Sequence, residues 1–154
     1  MSQRTTIDPA VIDGMCNCFA MRKAARYLTA SYDKALAPAK LRATQFTILH
    51  KVATHGETTI STLAAMIGMD RTTLATNLKP LERDGLLTTA PAENDRRARI
   101  VQITAAGHDR LEQALPLWQS AQNRFEDSFG STEASSLRSQ LRAVLDTGLD
   151  PWAE

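Results

Sequence analysis

Apolar positions along this chain recur with helical spacing in six stretches and alternate with strand spacing in two short ones. Asp8 before Pro9 has the form of an N-cap followed by proline at the first helical position. The helix it opens runs to Leu36, with Gly14 as an interruption point and Met15, Phe19, Leu28 and Leu36 as apolar anchors. The segment 37–39 (APA) ends it. Thr44 is placed to cap a second helix, in which Phe46, Leu49, Val52 and Ala53 share one face until Gly56 stops it. Ser61 is placed to cap a short third helix with Leu63, Ala64 and Ile67 inward, and Gly68 makes a tight turn. Asp70 then caps a fourth helix over 71–84, which Gly85 terminates.

Strand patterns follow at 86–90 and 99–103, separated by a polar tip that contains Asn94, Asp95, Arg96 and Arg97. Thr104 caps a long helix that carries Gly107 early and Leu111, Leu115, Trp118 and Phe125 later. The run Gly130, Ser131, Thr132 breaks the chain and starts a last helix with Leu137, Leu141, Val144, Leu145 and Leu149. Pro80 and Pro116 fall inside helices, where each removes one hydrogen bond and predicts a bend. The element order is ααααββαα.

Residues 60–104 carry the most information. Two short helices joined by a tight turn, then a hairpin, make a helix-turn-helix with a wing over 92–99. On the second helix Leu74, Leu78 and Leu81 cluster on one side. Thr72, Thr76, Lys79 and Arg83 fall opposite, flanked by Thr73 and Asn77. That outward face is rich in hydroxyls and bases and poor in carboxylates. A major groove about 12 Å wide admits one helix, and Thr and Asn side chains donate and accept at base edges. Arg71, Thr72 and Thr73 occupy the first turn, where such contacts are usual. Ser61 and Thr62 add first-turn amides for phosphate, and Lys79 adds charge. Arg96, Arg97 and Arg99 on the hairpin suit the negative potential of a minor groove, with Asp95 as a local partner that orients one of them.

Bulk properties are compatible with this reading. A chain of 154 residues is one domain by length, 1–154, with enough sequence to bury a core. Its hydrophobic share of 43% and charged share of 23% are ordinary for a folded domain and argue against disorder. The net charge of +1 says little, but residues 1–40, 41–104 and 105–154 carry +3, +2 and −4, so the basic character lies away from the C-terminal third. No apolar run is long enough to span a bilayer, and the start MSQRTTIDP has no apolar signal core, which points to a cytoplasmic protein without a membrane partner.

Enzyme chemistry is not expected. There is no serine, histidine and acid constellation and no phosphate-binding glycine loop. No cofactor or metal is expected either: Cys16 and Cys18 form a single C-x-C, and His50, His55 and His108 are scattered. The plain reading of the two cysteines is that of small buried helix residues.

The segments LRATQFTIL (41–49), STLAAMIGMDRTTLATNLKPLERDGLL (61–87) and the wing pattern Asp95-x-Arg97, followed by Val101-x-Ile103-Thr104-x-x-Gly107, resemble the MarR family of winged-helix transcriptional regulators. The resemblance implies a homodimer. Its terminal helices, 8–40 and 105–150, would form the dimerisation region around a winged helix-turn-helix at 41–104. Each copy would read half of a pseudo-palindromic double-stranded DNA operator, with half-sites about 34 Å apart. It further implies a repressor released by a small, often aromatic or anionic, effector bound between the dimer helices and the winged helix, near Arg22, Arg26, His50 and Trp118.

The segment CFAMRKAARYLTASYDKAL also resembles the first helix of the organic-peroxide-sensing branch of that family. Cys18 matches the reactive cysteine there and Tyr32 one of its partner tyrosines, while the other tyrosine positions carry Arg22 and Ala43. Fourteen residues of helix put Cys18 and Tyr32 about 21 Å apart, so they would meet only across a dimer. Arg22, one turn from Cys18, would favour its thiolate. A reading of another class is a winged helix used for protein contact, its basic wing merely solvated.

Overall fold

The computed structural model describes residues 7–149 and Pro151. The opening MSQRTT, on which the absence of a signal core was partly read, and Asp150, the last position of the expected C-terminal helical region, lie outside the described residues. The element order is α1 (Pro9–Met15), α2 (Asn17–Leu36), a 3₁₀ turn (Ala37–Ala39), α3 (Ala43–His55), β1 (Thr58–Thr59), α4 (Ile60–Ile67), α5 (Arg71–Arg83), β2 (Leu87–Pro91), β3 (Arg99–Ile103), α6 (Ala105–Phe129) and α7 (Ser131–Leu145).

Several boundaries differ from the sequence expectation for reasons visible in the hydrogen bonding. The first helix breaks at Cys16 rather than Gly14. Cys16 is extended (φ −78°, ψ 103°), its N–H closes α1 on Ile12 O, and its thiol accepts from Phe19 N at 3.3 Å to open α2. Thr44 does not cap α3, which already starts at Ala43. Its first amides are satisfied from elsewhere: Asp33 Oδ1 on α2 accepts from Ala43 N at 2.7 Å, and Gln45 Oε1 accepts from Arg42 N at 2.9 Å. The cap of α4 is Thr59, not Ser61, because Thr59 Oγ1 accepts from Thr62 N at 3.1 Å. Helices α5 and α6 run on through Pro80 and Pro116 without a break in the helical assignment. Leu149 lies beyond the end of α7.

A third strand was not anticipated. The two-residue β1 pairs antiparallel with β3, giving the order β1-β3-β2, with Thr58 opposite Val101 on one side and Thr89 opposite it on the other. Val101 in the middle strand is fully buried. This small sheet closes one side of a core made by Leu36, Ile48, Leu49, Val52, Leu63, Leu74, Leu78, Leu81, Leu86 and Leu87. Each such side chain contributes about 1.5–3 kcal/mol relative to exposure. Gly68 ends α4 with φ 74°, a left-handed conformation that glycine adopts without a Cβ penalty, and so sets the turn into α5.

The two chain ends lie outside this core. Helix α1 buries no residue, and Met15, Tyr27 and Leu145 are 70, 75 and 81% exposed. Val11, Ile12, Phe19, Phe129, Leu141 and Val144 are exposed as well. Terminal helices with this much apolar surface lack a partner within one chain. Among the described residues, no helix is long and apolar enough to cross a membrane.

The winged helix is joined to α6 by a tight junction. Thr104 N donates to Leu86 O at 3.1 Å, and Thr104 Oγ1 donates to Gly85 O at 2.7 Å while accepting from Gly107 N at 3.0 Å. The close approach requires glycine at 107, where a methyl group would sit 2.2 Å from Leu86 O and 2.7 Å from Ile103 Cγ1. Gly107→Ala is therefore expected to destabilise the fold by about 1–3 kcal/mol, as overpacking against backbone does. Urea unfolding checks this, and a change indistinguishable from zero would contradict the junction as described.

Candidate functional site

Burying Leu74, Leu78 and Leu81 turns the opposite face of α5 to solvent. Arg71, Thr72, Thr73, Thr76 and Lys79 are exposed there, and Asn77 is half-buried at the flank. The start of the helix is fixed by Asp70, whose Oδ1 accepts from Thr73 N at 2.8 Å and whose Oδ2 accepts from the Thr73 hydroxyl at 2.6 Å. Thr76 Oγ1 donates to Thr72 O at 3.1 Å, and Asn77 Nδ2 donates to Thr73 O at 2.9 Å. These groups are thus held against the helix, leaving the Thr76 oxygen and the Asn77 carbonyl free to accept. Arg83 is paired with its neighbour Asp84 at 3.3 Å. Ser61 and Thr62 are exposed in the first turn of α4, and the Thr62 hydroxyl accepts from Thr59 at 2.9 Å.

The wing loop is closed by its own backbone. Ala92 N donates to Ala98 O at 2.9 Å, and Ala98 N donates to Asp95 O at 3.0 Å. Asp95 does not orient an arginine side chain as the sequence suggested. Its carboxylate accepts from the backbone N–H of Arg97 at 2.9 Å, shaping the turn that presents Arg96 and Arg97 to solvent. Arg99 behaves differently from those two. Its Nη2 donates to Thr89 Oγ1 at 2.8 Å, and the Thr89 hydroxyl in turn donates to Glu82 on α5. The chain Glu82–Thr89–Arg99 ties the wing stem to the end of α5. Sequence reasoning missed Glu82 and Thr89 because they lie seven residues apart on different elements.

A second site lies between α2, α3 and α6. A cavity of about 340 Å³ is lined by Tyr32, Leu36, Ala43, Phe46, Thr47, His50, Leu115 and Trp118. His50, Phe46 and Trp118 form a near-parallel stack, with ring centroids 6.2 Å and 6.0 Å apart and interplanar angles of 4° and 13°. Of the four residues expected to contact a ligand, His50 and Trp118 line this cavity. Arg22 and Arg26 do not; both are exposed on α2, ten and six residues before Tyr32.

Tyr32 donates to Gln122 Oε1 at 2.6 Å, Gln122 Nε2 donates to Glu126 Oε1 at 2.7 Å, and Arg138 of α7 donates to the same oxygen at 2.9 Å. This polar chain joins the cavity wall to the last helix. Burial, aided by the Glu126 carboxylate and partly offset by Arg138, raises the Tyr32 hydroxyl above the ordinary phenol value, so it stays protonated. The Arg138 hydrogen bond, then that of Gln122, lowers Glu126 below the usual carboxylate range. Gln122 and Glu126 lie one turn apart on α6, but only packing between helices brings Tyr32 and Arg138 to them, so no local motif announced the chain.

The two cysteines are not the buried helix residues that the plain reading expected. Cys16 is half-buried at the helix break and Cys18 is exposed, both as free thiols. Among the described residues, no three His, Cys, Asp or Glu side chains are grouped to hold a metal ion.

A model of the MarR family matches residues 41–98. The crystal structure of the Mycobacterium tuberculosis transcriptional regulator MosR in complex with DNA is 36% identical, covers 87% of this chain and 99% of its own, and superposes with a TM-score of 0.75. The organic hydroperoxide resistance transcriptional regulator of Bacillus subtilis is 25% identical over 130 residues, 84% of this chain and 87% of that protein. A mutant MarR of Escherichia coli complexed with operator DNA shares the fold at a TM-score of 0.78 and 21% identity, over 90% of this chain and 99% of its own.

Asp70 gives this site a pH signature. The Thr73 hydroxyl, then its backbone N–H, hold the Asp70 carboxyl below its ordinary value of 3.8. A depressed pKa contributes stability that is present above the unfolded value and lost as pH falls through the folded one. The stability advantage of wild type over Asp70→Asn is therefore expected to be constant near neutrality and to shrink below pH 3.8. Urea unfolding across that range measures it, and parallel curves throughout would contradict the cap.

Proposed function

The chain belongs to the MarR family and is a DNA-binding transcriptional regulator; on that premise we propose that it acts in the cytoplasm as a homodimeric, ligand-responsive repressor of a pseudo-palindromic operator. The observation that carries the DNA reading is the exposed Thr72, Thr73 and Thr76 face of α5 standing beside an arginine-tipped wing tied to the same helix. In this reading α5 enters the major groove, with Arg71, Thr72, Thr76 and Asn77 at base edges. Thr73 assists as the partner of Asp70. Ser61, Thr62 and Lys79 meet phosphates. Arg96 and Arg97 reach the minor groove, and Arg99 holds the stem against α5 while offering charge to the backbone.

Homodimerisation gives the terminal helices a partner. The apolar side chains of α1, α2 and α7 left exposed in one chain are of the kind an isologous interface buries. Two copies related by a two-fold axis would set their α5 helices for successive grooves, about 34 Å apart. The effector site in this reading is the cavity that contains His50 and Trp118, and the Tyr32–Gln122–Glu126–Arg138 chain gives its occupancy a route to α7.

A second reading is favoured by the exposure of Cys18 and by the likeness to the hydroperoxide resistance regulator. In it the Cys18 thiolate attacks an organic hydroperoxide, releases the alcohol and becomes a sulfenic acid, which disturbs the packing of the terminal helices.

Three measurements separate these readings. Arg97→Ala is expected to weaken operator binding by about 1–3 kcal/mol and to lower the slope of log affinity against log salt by about 1, with the dimer intact. Fluorescence anisotropy at several salt concentrations reads both, and unchanged affinity would remove the wing from the interface. Leu141→Asp is expected to yield monomers in light scattering and to abolish operator binding; a monomeric variant with full affinity would sink the dimer reading. An organic hydroperoxide is expected to release wild type but not Cys18→Ser from DNA if the thiol reading holds, and equal release of both proteins would discard it.

A further inference from the structure

The wall of the cavity between α2, α3 and α6 restricts what can bind there. Its polar atoms are the Tyr32 oxygen, the Thr47 hydroxyl, the His50 imidazole and the Trp118 indole N–H, and none of its lining residues is Lys, Arg, Asp or Glu. The Thr47 hydroxyl already donates to Ala43 O at 3.0 Å, and the Tyr32 hydroxyl donates to Gln122 at 2.6 Å. Tyr32 therefore has only acceptance left to offer a guest. The charge bonded directly to that wall is negative, since Asp33 Oδ1 accepts from Ala43 N at 2.7 Å, and the Glu126 carboxylate two hydrogen bonds from Tyr32 is already paired with Arg138. Arg22 and Arg26 lie on the same helix as Tyr32, about 15 Å and 9 Å along its axis, and do not line the cavity.

An anionic guest would thus lose its water without gaining a cation, with the Asp33 carboxylate bonded to the wall at Ala43. A neutral guest meets no such penalty. The parallel stack of His50, Phe46 and Trp118 leaves flat ring faces and edges that match a planar aromatic body. A volume of about 340 Å³ holds one or two fused rings, of the size usual for small-molecule sites.

We propose that the effector of this chain is a flat, uncharged aromatic molecule bearing a hydrogen-bond donor, with Tyr32 as the residue that selects the donor. This rests on the cavity being the effector site, as proposed above, and narrows the aromatic or anionic class implied by family resemblance to its neutral members. A phenolic hydroxyl or an aromatic amide meets the requirement, and an aromatic carboxylate does not.

The test compares 2-naphthol with 2-naphthoate, which share a ring system and differ in charge and donor, by calorimetric titration of the full chain. Both titrations are run at pH 8, where a naphthol hydroxyl is neutral and an aromatic carboxylate is ionised. The naphthol is expected to bind roughly tenfold tighter than the naphthoate, since the ionised carboxylate must be desolvated unpaired. Tyr32→Phe keeps the ring and removes the oxygen, and is expected to lower naphthol affinity about fivefold while leaving naphthoate unchanged. His50→Arg, at an exposed position that tolerates change, is expected to reverse the preference by supplying a cation. Tighter binding of naphthoate to wild type would overturn the proposed class while keeping the cavity as the effector site. Binding of neither compound would overturn the cavity reading and this inference together.

Discussion

Everything on the exposed side of α5 follows from where three leucines go. Leu74, Leu78 and Leu81 are at most 1% exposed, and their burial against α3, α4 and the sheet fixes the rotation of α5 about its own axis. Once that rotation is set, Thr72, Thr76 and Lys79 have no choice but to face outward. The Asp70 cap fixes where the helix starts, and Gly68 fixes the angle at which it leaves α4. The wing inherits its position from the same body. Leu87 and Val101 anchor its strands in the core, and the Glu82–Thr89–Arg99 chain holds its stem against the last turn of α5. Helix α5 and the wing thus form one rigid head, the part that the proposed function sets against DNA.

The junction at Thr104 and Gly107 joins that head to α6 without slack. Helix α6 also supplies Leu115 and Trp118 to the cavity and Gln122 and Glu126 to the polar chain that ends on α7. A single helix therefore touches the winged helix, the cavity and α7. In the proposed homodimer, a change in the cavity that moved α6 would act on both the wing and the spacing between the two copies. That continuity would give the proposed effector a route to release that needs no contact with DNA.

Much of this was legible in the sequence, because the information there is local. The leucine spacing of α5, the Asp70 and Thr104 caps, the Gly68 turn and the arginine-tipped hairpin are all set by residues within a few positions of one another. Part of what was not legible has the opposite property, although the Cys16 break and the Thr59 cap are local and fall two residues from Gly14 and Ser61. Asp33 caps α3 from ten residues away in another helix, β1 exists only because β3 offers it an edge, and Arg99 binds Thr89 across the hairpin. The cavity was half legible. All four residues came from the resemblance alone; His50 and Trp118 line the cavity and Arg22 and Arg26 do not, because the rotation and reach of α2 are not set by its sequence alone.

The most direct test of the account is a hydroxyl-radical footprint of the full-length protein on DNA selected by it from a random pool. A paired body carrying two outward α5 helices predicts two protected segments centred about 34 Å apart, one helical turn, flanked by minor-groove protection where the arginine loops reach. A single protected block, or failure of selection to enrich any sequence, would contradict it.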